Sequence, residues 1–321
     1  MRKFLTSVLI GMACLLLPSY AEAQQWPSKP IKLIVPWAAG GAGDVIGRLF
    51  AEQMSKKLGQ QVYVENQASG GGLNGIQAVM RAPPDGYTLM ISGLPSHVLT
   101  PLMNENAKFD PINDFTHIAY LGGTPTLLCV HASSPIKTYA QLVEFGRSEK
   151  AGVHYVSPGL GTTGNVVAEY LGYKERIKMA LIPYKGGGQA IVDLISGHVK
   201  IGSMTWSTTR EHVLAGSLRP IAITSDERLS EIPNVPTLKE LGHPDLVTVT
   251  WFSVSGPRSL PDDVVSRLNT ALVSAFEEPE IKGFFARDGI KVKRMTSGEF
   301  TSFMQQEVAM WTTAIKRAAV R

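Results

Sequence analysis

Short apolar runs rich in β-branched residues alternate with helical stripes along most of this chain. Ile31-Lys32-Leu33-Ile34-Val35 has the pattern of a strand. Beyond Gly40–Gly43, apolar residues at Val45, Ile46, Leu49, Phe50, Met54 and Leu58 mark one face of a helix that Gly59 stops. Val62-Tyr63-Val64 predicts a second strand, the Gly70–Gly72 cluster a turn, and Ile76, Val79 and Met80 a second helix. After the turn Pro83-Pro84-Asp85-Gly86, residues Tyr87 to Ile91 predict a third strand. The same plan continues with strands over Val153–Ser157, Met179–Pro183, Val199–Met204 and Leu218–Thr224. Helices are expected over Val166–Leu171, Ala190–Ile195 and Thr209–Leu214. Strands alternating with helices imply an α/β protein with largely parallel sheets. From Pro261 the pattern turns helical, with one stripe at Val264, Val265, Leu268 and Leu272 and another at Phe300, Met304, Val308, Trp311 and Ile315. Thr296 and Glu299 form a capping box at the start of the last helix. There is no fixed-period repeat and no long low-complexity linker.

The one long apolar stretch, Phe4 to Leu17, is shorter than the about 20 residues of a membrane span. Arg2 and Lys3 before it and Ala21-Glu22-Ala23 after it complete the pattern of an export leader cleaved after Ala23, so that the mature chain starts at Gln24. The 321 residues, 44% hydrophobic and 18% charged, exclude a disordered chain and suffice for about two domains. A net charge of +4 is too mild for a nucleic-acid partner, which would require clustered Lys and Arg. The densest basic run, Lys291-Val292-Lys293-Arg294, alternates like a short strand with a wet side. Of the two cysteines, Cys14 falls in the leader, where its surroundings fit a lipid anchor poorly. Cys129 then stands alone in an apolar run as a small buried hydrophobe, and the mature chain holds no internal disulfide.

Most catalytic signatures are absent. No two of the seven histidines fall within a helical turn of each other, so no zinc-binding helix pair is present. There is no C-x-x-C, no G-x-S-x-G elbow and no Walker A loop. Neither a metal nor a cofactor is expected. Gly159-Leu160-Gly161-Thr162-Thr163-Gly164 matches G-x-G-x-x-G between a strand and a helix, but Ile182-Pro183-Tyr184-Lys185 brings no carboxylate where a dinucleotide site needs one. What remains is a glycine loop at a helix N-terminus, where unpaired N–H groups favour an anion; capping by a threonine is the competing explanation. Trp37-Ala38-Ala39-Gly40-Gly41-Ala42-Gly43-Asp44 repeats this design after the first strand. Two such loops, one per lobe, can face a single ligand across a cleft. Asp44 suits either the helix dipole or a ligand amine or hydroxyl, and Trp37 either lobe packing or stacking on a flat ring. Neither loop contains an arginine for a bidentate clamp, which favours neutral, mono- or dicarboxylate ligands over phosphates.

These landmarks, taken in order, resemble the Bug/TctC family, the solute receptors of tripartite tricarboxylate transporters. They include Trp26-Pro27-Ser28-Lys29-Pro30-Ile31, Gly40-Gly41 with Asp44, Val64-Glu65-Asn66 and Pro84-Asp85-Gly86-Tyr87-Thr88-Leu89. Asp114-Phe115, Ser157 to Thr163, Pro183-Tyr184-Lys185-Gly186, Val235-Pro236-Thr237, Glu240-Leu241-Gly242, Glu299-Phe300 and Trp311 follow. The resemblance implies a two-lobed, type II periplasmic binding protein with two inter-lobe crossovers and C-terminal helices packed on the first lobe. Residues 24–124 plus 251–321 would form lobe 1, and 125–250 lobe 2. It implies a small organic acid held by Trp37, Ala39, Gly40, Gly41 and Asp44 from one loop and Ser157, Gly161, Thr162 and Thr163 from the other. The partners implied are the membrane permease subunits of the transporter, and the receptor itself is monomeric. A receptor that presents its ligand to a sensor protein is the alternative, and an exported α/β enzyme using the cleft a further one. The chain departs from the family pattern at Trp37, Ala39 and Asn165, where Phe, Pro and His are common, which bears on the ligand and not on the fold.

Overall fold

The computed structural model describes residues 26–184 and 186–318. The predicted leader with its expected cleavage site near Ala23, Cys14 and Lys185 lie outside the described residues. Seven predicted strands are present within a residue or two: β1 (Ile31–Val35), β2 (Val62–Asn66), β3 (Thr88–Gly93), β5 (Val153–Val156), β6 (Met179–Ile182), β7 (Ile201–Thr205) and β8 (Leu218–Ile223). Two strands carry no alternating signal because both of their faces are buried. These are β4 (Phe115–His131) and β9 (Val249–Pro257), and they determine the architecture. The sheet order is β2-β1-β3-β9-β4-β7-β5-β6, with β8 also paired to β4.

Over Phe115–Pro125, β4 lies antiparallel to β9; from Thr126 its neighbours become β7 and β8. One strand thus serves two sheets, and β9 returns beside it with Thr124 opposite Thr250. The result is two lobes joined by two long strands. Parallel pairing is confined to β2-β1-β3 in one lobe and β6-β5-β7 in the other, so the sheets are half parallel rather than largely so.

The first lobe buries Ile46, Phe50 and Met54 of α1 (Ala42–Leu58) against Val264, Leu268 and Leu272 of α8 (Asp262–Ala275) and Phe285 of α9 (Pro279–Arg287). Helix α2 (Leu73–Met80) covers the other face, and a π-helical turn, Leu94–Leu99, leads into the short α3 (Thr100–Met103). The second lobe is wrapped by α4 (Tyr139–Ser148), α5 (Thr163–Glu175), α6 (Gly187–Ile195) and α7 (Trp206–Leu214). Cys129 is buried in its core.

The last helix, α10 (Ser297–Ala318), opens on the predicted capping box: Glu299 Oε2 accepts from Thr296 N–H at 2.8 Å, and Thr296 Oγ1 from Glu299 N–H at 3.2 Å. Its Phe300, Met304 and Trp311 pack on Leu94, Val98, Tyr120 and Trp251 of the first lobe and also reach Val166 of α5. The basic run before it is not a strand. Ile290 and Met295 are buried anchors, and between them Lys291 and Arg294 pair with Glu227 and Glu277 with no neighbouring strand to join.

Beneath α10, His97 and His117 are buried among Phe109, Phe115 and Phe300. Burial, with His117 nearby, holds His97 well below the usual imidazole range, and burial lowers His117 to about 4. Both are therefore neutral in the native state, whereas unfolded histidine takes up its proton near pH 6.5. Stability is thus complete above about pH 6.5 and falls as pH drops toward 4, by roughly 2–3 kcal/mol from His117 alone by pH 4.5. Urea midpoints at pH 7 and 4.5 check this. His117→Leu should flatten the difference, and an unchanged slope in that variant would place the acid lability elsewhere.

Candidate functional site

In each lobe two parallel strands, β1 and β2 in the first and β5 and β6 in the second, lead through glycine-containing connections into helices, the usual place for ligands in α/β sheets. In the first lobe β1 leads through Trp37–Gly41 into α1. Asp44, 4% exposed in the first turn of α1, organises this loop. Its Oδ2 accepts from the Gly40 N–H at 3.0 Å and Arg48 Nε at 3.1 Å; its Oδ1 accepts from Asn66 Nδ2 at 2.9 Å. Asn66 also donates to the Trp37 carbonyl at 3.1 Å and accepts from Arg48 Nη2 at 3.0 Å. Burial alone would raise the Asp44 pKa, but Arg48, the Gly40 N–H and Asn66 outweigh it and hold the carboxyl below the usual range. The carboxylate is thus occupied within the loop as well as placed at the positive end of α1.

Trp37 is half-buried and packs edge-on against Phe252, ring centroids 5.7 Å apart at 86°. A Cβ on Gly43 would lie 2.5 Å from its ring, so Gly43 makes room for the indole. Ala38, Ala39 and Gly40 are exposed, and Gly41 is half-buried.

In the second lobe β5 leads through Ser157–Thr162 into α5. Gly161, at φ +72°, lies in the left-handed region that glycine tolerates. Here the structure sorts the candidate donors. The Ser157 hydroxyl turns onto Gly159 O at 3.2 Å. Thr162, the N-cap, donates to Gly159 O at 2.7 Å and accepts from the Asn165 N–H at 3.4 Å. The Gly161 N–H points back to Asn165 Oδ1 at 3.1 Å. By contrast, the Thr163 hydroxyl is buried and has no hydrogen-bond partner among the described residues. With it come the first N–H groups of α5, which no helical carbonyl precedes.

The loops approach each other's lobes. Ala38 Cβ lies 3.8 Å from the position of a Cβ on Gly186, at the start of α6, and Met103 Sδ of α3 lies 3.9 Å from that of Gly161. The N-terminus of α6 adds a third helix start beside Pro158 and Thr208, with no acidic residue in its first turn. Arg48 and Asn66, which fix the first loop, are not among the site residues that the sequence predicts. The i, i+4 spacing of Asp44 and Arg48 is a legible signal. Asn66 reaches the loop through the parallel register of Val35 with Asn66, which only the folded sheet reveals. Among the described residues no cluster of three or more His, Cys, Asp or Glu side chains could hold a metal, and no helix is long and apolar enough to cross a membrane.

Two α/β lobes joined by two crossing strands, with glycine loops meeting at the boundary, define a periplasmic binding protein of the two-lobed kind. Residues 46–320 match the model of the tripartite tricarboxylate transporter family receptor, TctC, and the chain belongs to that family. It is 27% identical to the protein BugT of Bordetella pertussis, over all of this chain and 99% of that one. Among solved structures it resembles the periplasmic binding protein BugD, with a TM-score of 0.86 at 26% identity over 92% of this chain and 99% of that one. Rpa4515 of R. palustris, solved with adipate, gives 0.87 at 28% identity over 92% and 99%. MatC (Rpa3494) of Rhodopseudomonas palustris, with bound malate, gives 0.85 at 26% over 90% and 100%. The chain is a solute receptor of this family.

Proposed function

We propose that this receptor captures a small organic acid between its lobes, with one carboxylate set against the first turn of α5 and the Trp37–Gly41 loop closing over it. The observation that carries this reading is the buried Thr163 hydroxyl, which has no partner among the described residues, at a helix start whose first two N–H groups, those of Thr163 and Gly164, come before any helical acceptor. A buried polar atom without a partner is costly, and a ligand carboxylate supplies the missing acceptor. The acids bound by Rpa4515 and MatC support the same chemistry. In this reading Ala39, Gly40 and Gly41 line the other wall, and the free edge of Trp37 bounds the ligand's body. Gly161, Thr162 and Ser157 shape the anion loop, and Asp44 braces the facing one.

The reading extends to an exported, monomeric protein, cleaved near Ala23, that delivers its ligand to the permease of a tripartite tricarboxylate transporter. The lobes divide at residues 124 and 251, where β4 and β9 cross, and ligand closes them by bending there. Binding proceeds without turnover, because Asp44, the carboxylate at the first loop, is already held by Arg48, Asn66 and Gly40.

A thermal-shift panel of mono-, di- and tricarboxylates and aromatic acids, including adipate and malate, tests the proposal. At about 100 times its dissociation constant, a bound acid adds about 2.7 kcal/mol. Thr163→Val keeps the volume and removes the hydroxyl. Its melting without ligand should hold or rise, since the hydroxyl has no bond to lose, while affinity falls about 10- to 100-fold, the worth of one hydrogen bond to a charged group. No shift with any acid would sink the proposal.

A further inference from the structure

Helix α5 carries a buried polar chain that none of its packing requires. Gly161 N–H donates to Asn165 Oδ1 at 3.1 Å, Asn165 Nδ2 donates to the Tyr155 hydroxyl at 2.8 Å, and that hydroxyl donates to Glu169 Oε1 at 2.8 Å. Asn165 is 1% exposed and Tyr155 fully buried, while Glu169 is half-buried. The polarity of the chain is determined at its outer end. An ionised carboxylate only accepts, so Tyr155 gives its proton to Glu169 and its oxygen is left to accept. Burial and the neighbouring Glu169 push the phenol far above its usual range, which keeps that proton in place. Asn165 must then turn its NH2 toward Tyr155 and its carbonyl toward Gly161.

This reverses the ordinary use of such a position. In a capping box the third helical residue bonds back to the N-cap N–H. Here Asn165 reaches one residue further, past Thr162 to Gly161. Because Gly159 and Gly161 both have positive φ, the loop has little intrinsic preference for one shape. Asn165 supplies the preference, and by consuming the Gly161 N–H it leaves the first N–H groups of α5 and the Thr163 hydroxyl as the donors that face a ligand.

We propose that Asn165 is a positioning residue for ligand capture, oriented by Tyr155 and Glu169 so that the anion loop is preorganised before the acid arrives. The proposal rests on the carboxylate reading above. Preorganisation raises affinity by removing the cost of ordering the loop on binding.

The test uses the full chain with Tyr155→Phe, Asn165→Leu and the two combined. Without ligand, Gly161 amide exchange should speed up about tenfold in either single variant, as for loss of one hydrogen bond, while Val167 in the body of α5 stays slow. Affinity for adipate and malate should fall by about the same factor. Tyr155→Phe also leaves a buried amide unpaired and lowers the melting point. In the double variant the 155–165 contact is apolar on both sides, so melting should recover part of the Tyr155→Phe loss, short of wild type because the Gly161 N–H stays unpaired. Affinity should not recover, because Gly161 still lacks its acceptor. A merely structural role predicts that affinity and melting recover together, and that result overturns the proposal. So does unchanged Gly161 exchange in Asn165→Leu, a result that needs no ligand. Wild-type protein that is stabilised by no acid of the panel defeats the carboxylate reading instead, and the exchange measurement still judges the relay.

Discussion

Gly164→Ala should lower stability by about 3 kcal/mol and remove carboxylate binding altogether. Gly164 is the second residue of α5, and a Cβ there would lie 2.1 Å from the Ser203 carbonyl oxygen and 3.0 Å from its carbon. Both obstacles are backbone of β7, so no side chain can rotate away. The same closeness lets Ser203 Oγ donate to Gly164 O at 2.7 Å. A methyl group must lift the helix start off the sheet, breaking that bond and moving every donor that faces the ligand. Overpacking in a close-packed interior typically costs 1–3 kcal/mol, and two rigid backbones put this site at about the upper end. Chemical denaturation and the acid panel check both halves. A variant of normal stability and normal affinity would mean that the first turn of α5 does not sit where described.

Asp44→Ala should cost about 2–3 kcal/mol and weaken ligand binding from the opposite wall. The substitution leaves the Gly40 N–H and Asn66 Nδ2 without their acceptor. It also removes the charge that pairs with Arg48 at 3.0 Å. Breaking a fully buried pair costs more, but the Arg48 side chain is 55% exposed and water recovers part of the loss. Because Asn66 also holds the Trp37 carbonyl, both ends of the first loop come loose together. Asp44→Asn keeps the shape and one acceptor, so it should lie between wild type and alanine in denaturant midpoint and in affinity. Equal affinity in all three would show that the first loop takes no part in capture.

Much of this architecture is legible in the sequence because its elements are local. Strands β1 and β5–β8 stand in apolar runs, α1 in a clean stripe, and α10 behind a capping box whose two bonds both form. The two joining strands are less legible, since both of their faces are buried and neither Leu127–Val130 nor Trp251-Phe252-Ser253-Val254 alternates apolar with polar positions. The basic run at Lys291–Arg294 alternates by coincidence; its ion pairs with Glu227 and Glu277 come from distant parts of the chain. The glycine loops are visible as loops, but the direction of their donors is not. Only the fold reveals that the Gly161 N–H and the Thr162 hydroxyl are consumed internally while the Thr163 hydroxyl is not.

A crystal structure of the chain grown with the acid that raises its melting temperature most would locate the ligand's carboxylate outright. One carboxylate is expected within hydrogen-bonding distance of Thr163, with Trp37–Gly41 on its far side and the acid chemically unchanged. A carboxylate bound away from both glycine loops, or an acid recovered as a different compound, would contradict it.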